Sequence, residues 1–189
     1  MSGSQKPIPA RPGRGASQAR TAEALRVDHA GELAAVHIYR GQRAVMAGAR
    51  GKGALAAHFR SLEEQEADHL AAFDQLLTER RVRPSLLSPV WRLAGFALGA
   101  GTALIGDKAA HACTEAVESV IGEHYANQIT ALSDREPELA QRLTQFRDDE
   151  MRHHDEAIEA GARQATGYPV LSAVIRAGCR AAIKVAEKL

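Results

Sequence analysis

Two stretches of this chain repeat one spacing of polar residues, and that spacing restricts the fold more than any other feature. Glu32 is followed seven residues later by Tyr39 and ten later by Gln42. Glu118 is followed at the same offsets by Tyr125 and Gln128. Farther along, Glu66-Ala67-Asp68-His69 is matched by Glu150-Met151-Arg152-His153. The two sets are displaced by 86 and 84 residues. The chain therefore reads as two copies of a helix pair, one helix with a lone glutamate and the next with Glu-x-x-His.

The surrounding pattern is helical throughout. Apolar and polar residues step by three and four from Thr21 to about Gly48, and a second helix is expected from about Ala54 to Arg81. Pro84, Ser85 and Pro89 end that helix. A third runs from about Asp107 to Ser133, and a fourth from Pro137 to about Gly161. A last helix covers about Pro169 to Glu187. No stretch alternates with period two, and aromatic residues are only 4% of the chain. The expected fold is all-α: a four-helix bundle with a long apolar crossover between helices two and three and an extra C-terminal helix.

Residues three apart lie on one helix face, so Glu66 with His69, and Glu150 with His153, can each reach one ion. Four buried carboxylates without cations would repel one another and desolvate at high cost. Adding Glu32 and Glu118 gives the inventory of a two-metal carboxylate site in a four-helix bundle. Oxygen and imidazole donors without thiolate suit iron or manganese better than structural zinc. Tyr39 lies two turns beyond Glu32, and Tyr125 two turns beyond Glu118. Each either bonds a ligand or packs in the core. Asp149, just before Glu150, is placed to orient a histidine of the neighbouring helix. His29 is an outer candidate or a surface histidine, and His124, too far round from Glu118 to be a direct ligand, is an outer candidate as well.

Lys plus Arg is 24 and Asp plus Glu 23, which gives no case for nucleic acid as a partner. The two cysteines, Cys113 and Cys179, are too few for a disulfide framework and read as small core residues in a reduced compartment. Residues 1–20 carry Lys6, Arg11, Arg14 and Arg20 and no acid, and read as a disordered basic arm ahead of one domain over 21–189. The arm lacks the apolar core of a secretory signal and the amphipathicity of a transit peptide, which favours a bacterial cytoplasmic start.

Residues 86–106 read LLSPVWRLAGFALGAGTALIG, with Arg92 the only charge. Their length suits a bilayer span of about 20 residues. A single crossing would put Glu32, Glu66 and His69 on one side and Glu118, Glu150 and His153 on the other, so the segment must return the chain to the same compartment. It either lies in a membrane interface or covers the bundle. In the last helix Arg176, Arg180, Lys184 and Lys188 step by four. Such a helix lies on anionic lipid or packs with its charges in water.

Beyond these patterns, several blocks match a known family. Leu25-Arg-Val-Asp-His-Ala-Gly-Glu32, Ile38-Tyr-Arg-Gly-Gln42, Glu63-Glu-Gln-Glu-Ala-Asp-His-Leu70, Cys113-Thr-Glu-Ala-Val-Glu118, His124-Tyr-Ala-Asn-Gln-Ile129 and Phe146-Arg-Asp-Asp-Glu-Met-Arg-His-His-Asp155 resemble the demethoxyubiquinone hydroxylases of ubiquinone biosynthesis. The resemblance runs from about Leu25 to the C-terminus. It implies a ferritin-like di-iron monooxygenase whose ligands fall on Glu32, Glu66, His69, Glu118, Glu150 and His153. It also implies Fe2+ in the reduced state, O2 as co-substrate and a membrane-embedded polyprenyl quinol whose ring gains a hydroxyl.

A peripheral place on the cytoplasmic face of a bacterial membrane is implied too, the matrix face of the mitochondrial inner membrane being the alternative. A homo-oligomer and other ubiquinone-biosynthesis proteins are partners it allows. The tail's entry is then expected along the crossover, at Leu86, Leu87, Trp91, Phe96, Leu98 and Leu104, and along the last helix. One departure is Glu123, where the family often carries a histidine. The chain has no Gly-x-Gly-x-x-Gly fingerprint, so its electron donor stays open. Iron storage, a scaffold with solvated acids and an oxygenase acting on modified tRNA are the rival readings.

Overall fold

The computed structural model describes residues 14–188. It contains helices α1 (Arg14–Gly48), α2 (Gly53–Arg80), α3 (Ser88–Ile105), α4 (Asp107–Leu132), α5 (Pro137–Glu159) and α6 (Tyr168–Ala186), with a 3-10 turn at Ala162–Gln164. No strand occurs among the described residues. The expected boundaries hold within a few residues, with one exception. Helix α1 already includes residues 14–20, which the sequence pattern placed in a disordered arm. Only residues 1–13 of that arm lie outside the described residues.

Proline in the first turn starts α3, α5 and α6, where a missing N–H costs no hydrogen bond. Helices α1 and α2 form one closely packed hairpin and α4 and α5 another. The two hairpins face each other more widely, across a layer of buried polar side chains. Apolar clusters close the layer at both ends. One gathers Leu25, Phe73, Tyr125, Leu143 and Phe146. The other gathers Tyr39, Phe59, Leu62 and Ala110.

The crossover is a helix with two unlike faces. Its Gly95, Gly99, Thr102 and Ala103 are buried, and α3 lies backbone to backbone on α1. A Cβ added at Gly99 would sit 1.9 Å from the Ile38 carbonyl oxygen, and one at Gly95 2.5 Å from that of Ala34. No larger residue fits at this separation. Gly106, at φ 145°, is the single-residue joint into α4. Helix α6 packs on α4 and on α1 around Val27 and Ala30. The buried Glu115 of α4 accepts from Arg176 and, at 3.3 Å, from Ser172. The α6 basic stripe is thus divided: Arg176 reaches the buried Glu115, while Arg180 pairs in the open with the exposed Glu123 at 3.2 Å.

No described helix is long and apolar enough to cross a membrane. All the exposed large apolar side chains among the described residues fall on 86–105 and on α6: Leu86, Val90, Leu93, Phe96, Leu104 and Ile105, then Val170, Val174 and Val185. Of the expected tail-entry residues, Leu86, Phe96 and Leu104 are exposed, while Leu87 and Trp91 are half-buried. Leu98 is half-buried too, packed against the cluster of Ile38 and Cys113.

Candidate metal centre

On α1, α2 and α4 the acids fall between the two apolar clusters, and on α5 Glu150 follows the first of them. Glu32 separates Leu25 from Tyr39 on α1, Glu66 and His69 separate Leu62 from Phe73 on α2, Glu118 separates Ala110 from Tyr125 on α4, and Glu150 follows Leu143 and Phe146 on α5. The six side chains of the repeat meet in this layer, none more than 6% exposed. They form two groups whose donor atoms lie within 4.8 Å of one another: Glu32, Glu66, His69 and Glu150, and Glu66, Glu118, Glu150 and His153. The groups share Glu66 and Glu150.

The histidines are held alike. His69 points Nδ1 into the cluster, 3.0 Å from Glu150 Oε1, and its Nε2 lies 3.4 Å from Asp149 Oδ2. His153 points Nδ1 into the cluster, 3.1 Å from Glu66 Oε1, and its Nε2 lies 3.3 Å from Gln65 Oε1. Asp149 thus sits where its sequence position put it. Gln65 was missed, although it occupies the same place in the repeat, one residue before the glutamate. Arg152 bonds both, Gln65 at 3.1 Å and Asp149 at 2.6 Å.

The tyrosines also act across the hairpins. Tyr39 of α1 donates to Glu118 of α4, and Tyr125 of α4 donates to Glu32 of α1. The expectation stacked each over the glutamate of its own helix. The wide layer lets each phenol reach the opposite one instead.

A family model described as "Ubiquinone biosynthesis protein COQ7" matches residues 19–186. The chain belongs to the COQ7 family. Among its relatives, a human protein named "NADPH-dependent 3-demethoxyubiquinone 3-hydroxylase, mitochondrial" is 46% identical over 177 residues, covering 92% of this chain and 80% of its own. The "3-demethoxyubiquinol 3-hydroxylase" of Rhodospirillum rubrum is 50% identical over 165 residues, covering 87% and 76%. The "5-demethoxyubiquinone hydroxylase, mitochondrial" of Saccharomyces cerevisiae is 43% identical over 180 residues, covering 87% and 76%.

In this COQ7 chain the electrostatics call for cations. Burial, then the neighbouring carboxylates, push Glu66 and Glu118 well above the usual carboxylate range. Burial pushes Glu150 up to about 7 despite its bond to His69. Burial alone would lower His69, but hydrogen bonds and charge from Glu150 and Glu32 more than reverse it, to about 11. The carboxylates that would hold a proton there would equally hold a metal ion. Glu32 Oε2, Glu66 Oε1, Glu118 Oε2, Glu150 Oε2 and His153 Nδ1 are buried without a hydrogen-bond partner. Such atoms are costly unless something fills the space between them, and two divalent ions fit that donor set. Glu66 and Glu150 would lie between them, with Glu32 and His69 on one ion and Glu118 and His153 on the other.

The remaining expected residues lie outside the cluster. His29 pairs with Asp74 at 3.0 Å and has no hydrogen bond to the six. His124 is 3.0 Å from Asp28, which also accepts from Gln128 at 2.8 Å. Burial alone would lower His124, but Asp28 raises it above its ordinary value. Asp28 escaped the sequence reading, although its place one turn before Glu32 was a usable signal. Glu123, the departure from the family pattern, is occupied by Arg180 of α6. Burial pushes the Cys113 thiol up to about 12 and Cys179 up to about 11, so neither is a thiolate ligand or nucleophile at neutral pH.

Proposed function

We propose that this chain is a di-iron monooxygenase that hydroxylates the ring of a polyprenylated demethoxyubiquinol. One observation carries the reading: a buried layer of four glutamates and two histidines that could hold two metal ions lies beside an apolar groove. Val27, Gly31, Ile38, Trp91, Val117 and Ile121 line that groove. Gly31 and Val117 are the chain neighbours of Glu32 and Glu118. A ring seated there lies against the two helices that carry those carboxylates, and a tail leaves over α3 and α6.

The iron pair would supply activation of O2. One oxygen atom enters the ring; the other leaves as water with two protons and two electrons from a donor outside the chain. For that donor the human relative's name points to NADPH. The protein's part is positional. Tyr39 and Tyr125 hold one oxygen each of Glu118 and Glu32, which leaves the other oxygen for a metal. Asp149 and Gln65 fix the two imidazoles with Nδ1 inward. The apolar clusters at both ends exclude water from the reacting centre.

The exposed apolar face of α3 and α6 supports a peripheral place on a membrane, where the quinol's tail resides. By the sequence reading this is the cytoplasmic face of a bacterial membrane. The test is one turnover. The Fe2+-loaded protein receives a short-tailed demethoxyquinol and then labelled O2, and the product is weighed. One labelled oxygen in the ring supports the reading. Iron oxidised with the quinol untouched would favour iron handling instead.

A further inference from the structure

At the end of the bundle where α1 begins and α2 ends lies a cleft of about 740 Å³. Arg26, Arg80, Arg81 and Arg83 line it, with Glu136 as its one carboxylate. Glu136 is already engaged, by Arg80 at 2.5 Å and by Thr21 at 2.9 Å. Arg26, Arg81 and Arg83 form no ion pair among the described residues; Arg26 donates only to the Arg83 carbonyl, at 3.3 Å. Three uncompensated guanidiniums thus face one cleft in a chain whose net charge is +1.

Two further observations bear on the role of the cleft. Arg81 caps α2 at φ 55° and is the one non-glycine residue with positive φ among those described. Glycine takes that conformation at lower cost, so an arginine there needs a reason in its side chain. The second is the closeness of the cleft to the exposed apolar surface. Three residues after Arg83 comes Leu86, 82% exposed, and then the exposed Val90 and Leu93 of α3. Three residues span at most about 11 Å, comparable to the roughly 5–10 Å depth to which a peripheral helix enters a bilayer. The guanidiniums therefore stand at headgroup level when those apolar side chains stand among acyl chains.

We propose that this cleft binds the phosphate headgroup of an anionic phospholipid, in bidentate contact with Arg26, Arg81 and Arg83. The site sets how the bundle sits on the membrane, with the mouth of the apolar groove towards lipid. It rests on the membrane reading above and adds a lipid preference to it.

Co-sedimentation of the iron-loaded full chain with vesicles tests it, comparing pure phosphatidylcholine with mixtures containing phosphatidylglycerol. Each guanidinium at a charged surface contributes about fivefold, so Arg81→Gln with Arg83→Gln is expected to weaken binding to the phosphatidylglycerol vesicles on the order of thirtyfold. Binding to phosphatidylcholine stays as it was. Arg60→Gln with Arg147→Gln removes the same charge on α2 and α5, away from α3 and α6, and is expected to cost no more than a few-fold. Arg81→Gly relieves the backbone, melts no lower than wild type, and still loses about fivefold.

Equal losses in the two double variants, or none in the cleft variants, overturn the proposal. So does displacement by inorganic phosphate with no preference for phosphatidylglycerol, which assigns a soluble anion. Equal wild-type binding to both vesicles rejects the headgroup site and leaves the membrane reading standing. Binding to neither rejects both.

Discussion

Glu66 and Glu150 each belong to both four-residue groups, whereas the other four ligand candidates belong to one. Their removal should differ accordingly. Glu150→Gln is expected to reduce bound iron below one ion per chain. Glu118→Gln should retain one, on the side of Glu32 and His69. Metal analysis after gel filtration decides this. Tyr125→Phe leaves the Glu32 carboxylate without its donor and should lower iron affinity or turnover by about 10–100-fold. His111, buried with its ring tilted 37° against that of Phe59, gives a pH expectation. Burial lowers its pKa from 6.5 to about 4. Its folded pKa is depressed, so stability is complete above 6.5 and falls, by up to about 3 kcal/mol, as pH drops through 4. His111→Leu should therefore flatten the fall of Tm in that window. The six ligand candidates were legible because intrahelical spacing alone aligns them. Gln65 was not, and for Tyr39 and Tyr125 the bond to a ligand was legible but not its crossing to the opposite helix, since that depends on how far apart the two hairpins stand.

At the scale of the helices, α3 decides whether the apolar crossover covers the bundle or stands exposed, and it does both, burying one face on α1 and exposing the other. Composition could not choose between the two because one helix carries both faces. The glycines separate them. Gly99→Ala drives a methyl into the Ile38 carbonyl and is expected to cost at least about 2 kcal/mol, a fall in Tm of roughly 5 °C or more. Gly101→Ala meets nothing within 4 Å. It should be neutral or stabilising by about 0.5–1 kcal/mol. Calorimetry on the pair checks the register of α3 on α1. The α6 stripe was legible only in part for a similar reason. Its spacing is visible in the sequence, but the acids that engage Arg176 and Arg180 stand on α4, more than 50 residues earlier.

Over the whole molecule, α3 and α6 pack against α1 and α4, and among the described residues the exposed large apolar side chains are confined to residues 86–105 and α6. Val90→Glu with Leu93→Glu should abolish vesicle binding while leaving the fold, iron content and turnover of a short-tailed soluble quinol near wild type. Loss of iron along with vesicle binding would mean that α3 has a structural role instead. The repeat made the bundle and its polar layer legible from the sequence. The apolar groove was not, because it is assembled from α1, α3, α4 and α6 and exists only once they pack. The central claim is that the repeat builds one two-iron site, and counting iron tests it most directly. Fe2+ titrated anaerobically into metal-free protein, with Mössbauer spectra after O2, should saturate at two ions per chain and give one coupled ferric pair. Saturation at one ion, or two magnetically isolated ions, would contradict it.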